Sequence, residues 1–154
     1  MQKYKYLLIG LGFFWIVAWS IFGSILAVQI QQLILSQVQE SEAMVIQRTL
    51  LKTAHAHMNT MGLSAVLVGL SINSVIPYFP TTLLKVIIYL FISSIPLFGI
   101  GLILEAFIPN ELGKISLATS LSAIGGGLYI LTVAVWSALF LFKFLQKNGS
   151  HGRS

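Results

Sequence analysis

The densest group of polar side chains in the sequence is Lys52-Thr53-Ala54-His55-Ala56-His57-Met58-Asn59-Thr60-Met61-Gly62, set inside a long apolar run. Polar and ionisable side chains are costly inside a bilayer, so such a cluster faces the interior of a bundle and marks function by default. Two histidines at i and i+2 on a helix point about 200° apart. They cannot grip one metal ion together, but they can serve two different neighbours. His55 shares a helical stripe with Asn59, Gly62, Val66 and Gly69, and the two glycines leave a groove for a flat cofactor or a close-packed helix. His57 shares its stripe with Thr53, Thr60 and Ser64, whose hydroxyls suit bonding to a neighbouring helix.

The sequence contains no cysteine, which removes thiolate haem ligation, iron–sulfur clusters and cysteine zinc sites. The cofactor that best suits an imidazole among apolar side chains is then haem b, whose iron takes a ring nitrogen and whose body is apolar. Two other readings stand beside it. In one, both histidines are neutral and bond only to backbone or hydroxyls; in the other, they hold another metal or relay protons. His55, His57, Met58 and Gly62 are the candidate cofactor-binding positions, although methionine on a membrane helix usually packs. Glu105 is the one carboxylate inside an expected span, near the same end of the bundle as His55. At similar depth, His55 and Glu105 are expected to face each other across the bundle, and Glu105 and Asn59 would be the groups available for acid or hydrogen-bonding work at a bound substrate. Glu105 alternatively snorkels to the headgroups or pairs with Lys52 or Lys114.

The elements that must position these residues follow from composition. Of 154 residues, 56% are hydrophobic and 8% charged, against about 25% charged in soluble domains. The mean hydropathy is +0.90. Such a chain cannot build a water-soluble surface. Its length suits four spans of about 20 residues and leaves no room for a separate soluble catalytic domain. The expected fold is an all-α, integral membrane four-helix bundle over residues 1–147, with spans at 6–30, 50–76, 83–107 and 115–145. The glutamine-rich segment 31–51 reads as helix running past the membrane face, turning near Ser41 and resuming. Pro77 and Pro80 mark a short loop, Pro96 predicts a kink in the third span, and 108–114 is a turn. The first span is too long for a signal-peptide core and lacks a cleavage site after it. Residues 148–154 read as a disordered tail or an expression scar, so His151 is set aside.

Of the nine Lys and Arg, six (Lys3, Lys5, Lys85, Lys143, Lys147 and Arg153) share the side of the termini and second loop, and three (Arg48, Lys52 and Lys114) share the other. The positive-inside rule puts both termini in the cytoplasm, in a membrane expected to be the prokaryotic inner membrane. Scattered cations form no basic patch, so nucleic acid is not an expected partner. Gly125-Gly126-Gly127 in the fourth span allows close helix contact or passage for a ligand, and Trp15, Trp19 and Trp136 line a pocket or face lipid.

Two resemblances arise at the histidine pair. His55-Ala56-His57 with Gly62 resembles the His-x-His helix of haem–copper oxidases and nitric oxide reductases, in which the two histidines serve two haems. It covers one helix, and the copper-ligating histidines have no counterpart, so a complete oxidase is excluded. The second covers nearly the whole chain. In length, span spacing, Ala54-His55 with Gly62, and Pro109-Asn110 after the third span, the sequence is similar to styrene oxide isomerase. That resemblance implies a trimer with haem b between subunits, His55 as iron ligand, and a ferric Lewis acid that rearranges an epoxide to an aldehyde. Two positions depart from it: the family's Asn before the glycine is Met61, with Asn59 two residues earlier, and its catalytic Tyr falls on Leu102, one turn before Glu105.

Three functions compete. One is a haem b protein whose iron is open to a small apolar or gaseous ligand or an oxygenated substrate, isomerase-like in chemistry. Another is a six-coordinate electron-transfer cytochrome b. The third is a haem-free structural or accessory subunit. Four short helices hardly enclose a haem alone, so the first reading expects a homo-oligomer with the cofactor between chains.

Overall fold

A computed structural model describes residues 1–36, 41–108 and 115–150, with side chains through residue 145. Four α-helices account for nearly all of them: α1 (Gln2–Leu35), α2 (Glu42–Val75), α3 (Thr81–Phe107) and α4 (Leu117–Ser150). All four are long and apolar enough to cross a membrane. The segment 37–40, the turn expected after Ile108 with its Pro109-Asn110, and 151–154 with His151 and Arg153 lie outside the described residues.

The helices outrun the expected spans. α1 and α2 have 34 residues each, about 50 Å at ~1.5 Å per residue, against a hydrocarbon core of about 30 Å. The glutamine-rich stretches therefore stay helical and carry the α1–α2 hairpin beyond the apolar zone. Ser41 starts α2 as its N-cap, its hydroxyl accepting from the Met44 amide at 3.4 Å, and Glu42 adds a negative charge to the first turn. Pro77 ends α2 in the 3-10 turn Ile76–Tyr78, and Pro80 precedes α3. α3 runs unbroken through Pro96.

α1 lies along α2, α3 lies along α4, and the two pairs join through α2 and α3. Small residues set the closest crossings. A methyl on Gly12 would stand 2.6 Å from the Gly62 carbonyl oxygen, so α1 and α2 touch backbone to backbone there. Gly101 and Gly125 do the same for α3 and α4, against the backbone of Ser122 and Phe98. The core between the pairs is Met58, Ile72, Leu84, Ile88, Phe91 and Ile95, all buried. In the most apolar stretch, 44% of α2 and of α3 is buried but only 17% of α1 and of α4. The outer faces of α1 (Phe13, Phe14, Val17, Ile21) and α4 (Ile124, Ile130, Leu131, Phe144) stand exposed, which water would penalise and lipid tails do not.

Candidate functional site

The two histidines of α2 do face different neighbours. His55 is half-buried in the α1–α2 interface. Its Nδ1–H donates to the Trp19 carbonyl oxygen at 2.7 Å, which leaves Nε2 as the second nitrogen of the ring. Asn59, one turn on, brings its amide nitrogen to 3.4 Å from Nε2, and the Asn59 Oδ1 is buried with no partner. The imidazole fits only because α1 presents Gly23 to it: a methyl at that position would collide with the ring. The glycine groove below is filled in the same way, Gly62 by Ile16 and Gly12 and Gly69 by Lys5, Leu8 and Ile9 of α1. Of the two occupants foreseen for that groove, the described residues supply the close-packed helix.

His57 is exposed on the opposite face. Its Nδ1–H donates to the Thr53 carbonyl oxygen of its own helix at 3.0 Å. Its ring lies against Phe98 of α3, centroids 5.6 Å apart. Among the described residues no group bonds its Nε2. The ring forms one wall of a cavity of about 430 Å³, lined by Ala56, His57, Thr60 and Met61 of α2, Phe98 of α3, and Gly126, Tyr129 and Ile130 of α4. Ala56, Thr60 and Ile130 on its rim are exposed, so the cavity opens sideways.

Polar groups on its wall are few and tied to α2. The Thr60 hydroxyl donates to the Ala56 carbonyl at 3.0 Å, and the Ser64 hydroxyl donates to the Thr60 carbonyl at 2.9 Å. With its proton so used, Ser64 Oγ accepts from the Tyr129 hydroxyl at 2.7 Å. The bonding expected between the His57 stripe and a neighbouring helix is thus made by Ser64 to α4. The Tyr129 oxygen keeps its lone pairs for a bound molecule.

The other candidates lie elsewhere. Met58 is fully buried, its sulfur and methyl against Gly99. Glu105 belongs to the α3–α4 interface, where its Oε1 accepts from the Thr119 hydroxyl at 2.9 Å. His55 and Glu105 therefore do not face each other: one is turned to α1, the other to α4. Asn59 accompanies His55. Trp19 and Trp136 are buried, and the Trp136 Nε1–H donates to Ser71 Oγ at 3.0 Å. The glycine triplet divides its duties: Gly125 takes the close contact, Gly126 lines the cavity beside the Phe98 ring, and Gly127 has open space around it.

Sequence reasoning missed Tyr129 and Phe98. A signal for Tyr129 existed, since Gly125, Gly126 and Tyr129 recur at helical spacing on α4 and present one hollow face with a phenol in it. Comparison of the chain with family models, with curated proteins and with solved structures finds no match.

Proposed function

We propose that the chain is a membrane haem b protein in which His57 of α2 carries the iron at the cavity between α2 and α4, with the other face of the iron open to a small apolar, gaseous or oxygen-bearing molecule. One observation supports this above others. His57 lines an apolar cavity with its Nδ1–H bonded to a backbone carbonyl, which leaves Nε2 as the free ring nitrogen, the tautomer in which iron-ligating histidines are held.

The residues fit the group. Met61, Phe98 and Ile130 give apolar and aromatic walls for a flat ring. The 430 Å³ volume lies in the range of about 300–1,000 Å³ usual for small-molecule sites. Among the described residues no cation lines the cavity. The sideways opening leaves part of such a ring uncovered, and a second copy of the chain closing it accords with the homo-oligomer, a trimer by resemblance. Bound there, ferric iron supplies Lewis acidity toward a substrate oxygen, the epoxide-to-carbonyl chemistry that the styrene oxide isomerase resemblance implies. The chain's own part is to exclude water with its apolar walls, while the Thr60 and Tyr129 oxygens, their protons already bonded, accept from a donor group on the molecule. In this reading Asn59 and Glu105, on other interfaces, do not act at the reacting centre. His55, Gly62 and Met58 position α2 instead of binding the cofactor. Both termini face the cytoplasm of a prokaryotic inner membrane.

An absorption spectrum of the purified protein supplied with haem tests the reading. A Soret band is expected in the wild type and in His55→Ala, and none in His57→Ala. Its absence from the wild type leaves the haem-free accessory protein. Its loss in His55→Ala alone returns the iron to His55. A low-spin spectrum indifferent to imidazole and nitric oxide makes the protein an electron carrier.

A further inference from the structure

The two ends of the bundle differ in charge. Glu42 and Glu105 belong to the end where α1 leads to α2 and α3 to α4, and the other two carboxylates of the sequence, Glu40 and Glu111, fall in the stretches between those helices. The opposite end, made by the start of α1, the end of α2, the start of α3 and the end of α4, carries Lys3, Lys5, Lys85, Lys143 and Lys147 and no acidic side chain.

Four of the five tyrosines gather among these lysines. The Lys3 Nζ stands 5.3 Å from the Tyr4 ring centroid, Lys5 Nζ 6.0 Å from that of Tyr6, and Lys143 Nζ 5.6 Å from that of Tyr78. The Tyr4 and Tyr89 hydroxyls meet at 2.9 Å and tie α1 to α3. Lys85 lies one turn before Tyr89, and Tyr6, Tyr78 and Tyr89 are exposed. Stacking on a ring orients an ammonium group without cancelling its charge. Tyrosine and lysine together, where apolar helices end, are at headgroup depth.

We propose that this end of the bundle is a docking surface for anionic phospholipid headgroups, with lipid phosphates accepting from the ammonium groups of Lys3, Lys85 and Lys143 and from the exposed tyrosine hydroxyls. A zwitterionic headgroup brings its own cation into the same field and gains less. Lipid is the occupant because these groups ring the bundle where its helices leave the apolar zone, and headgroups necessarily lie there. The inference is independent of any haem at the His57 cavity.

Native mass spectrometry of the full chain with phosphatidylglycerol and with phosphatidylcholine tests it. Phosphatidylglycerol is expected to bind more tightly. Lys3→Gln, Lys85→Gln and Lys143→Gln should each weaken it about fivefold, the worth of one lysine at an anionic surface. Lys52→Gln, at the other end, should leave it unchanged. Thermal unfolding in nanodiscs gives a second reading: the midpoint should be higher in phosphatidylglycerol than in phosphatidylcholine at low salt, and the gap should close at high salt. Equal affinity for the two lipids overturns the proposal. So does a phosphatidylglycerol preference that survives all three substitutions, or one lost only in Lys52→Gln. The single substitutions replace side chains at the bundle's surface, so folding is not at stake.

Discussion

His55 and His57 are two residues apart, yet one is bonded across an interface and the other stands on a cavity wall. A hydrogen bond between membrane helices contributes about 0.6 kcal/mol on average, and truncating the ring also empties the notch at Gly23. His55→Ala should therefore lower stability by about 1–2 kcal/mol while leaving haem uptake intact. Denaturant unfolding in detergent beside a Soret titration measures both, and lost haem with unchanged stability would reverse the assignment. His57→Ala breaks a bond to its own helix and one ring contact with Phe98 on an exposed face, so its effect should fall mainly on the ligand and little on the fold. Tyr129→Phe removes a hydroxyl bonded to Ser64. It should weaken a hydroxyl-bearing ligand of the cavity, which donates to the Tyr129 oxygen, by up to about tenfold, the worth of one neutral hydrogen bond, leaving an apolar gas unaffected. Titration of the haem spectrum with both ligands separates these outcomes.

At the scale of the helices, glycine decides which elements touch. Gly62 meets Gly12 and Ile16 where α1 crosses α2, and Gly127 meets nothing. Gly62→Leu must push the two helices apart and should cost about 1–3 kcal/mol, whereas Gly127→Ala should be neutral or slightly stabilising. Equal thermal midpoints for the two variants would show that the crossing is not tight. The Gly62 change should also loosen the His55 contact two turns away, because the same interface holds both.

For the whole molecule, four crossings, one for each helix long and apolar enough to span a membrane, would return the chain to the side where it began. Reporter fusions at both termini should read cytoplasmic, and a reporter between α1 and α2 should not; opposite locations for the two termini would remove one helix from the membrane. The oligomer proposed above would close the sideways cavity with a second copy of the chain. Cross-linking in native membranes should then give a ladder ending at a fixed number of copies.

What the sequence determined by itself is the architecture. Apolar composition and uninterrupted helical runs leave one way to satisfy backbone hydrogen bonds in a bilayer, and Ser41, Pro77 and Pro80 mark helix boundaries. The opposed faces of His55 and His57 were equally legible, since helical geometry alone separates i from i+2. Tertiary structure decided which neighbour each face meets. No periodicity in α2 tells that Gly23 and Trp19 of α1 receive His55, that Thr119 of α4 takes Glu105, or that Tyr129 arrives opposite His57. Those pairings depend on how apolar helices interlock, and between apolar surfaces in lipid that choice rests on small differences in shape that only the packed bundle expresses.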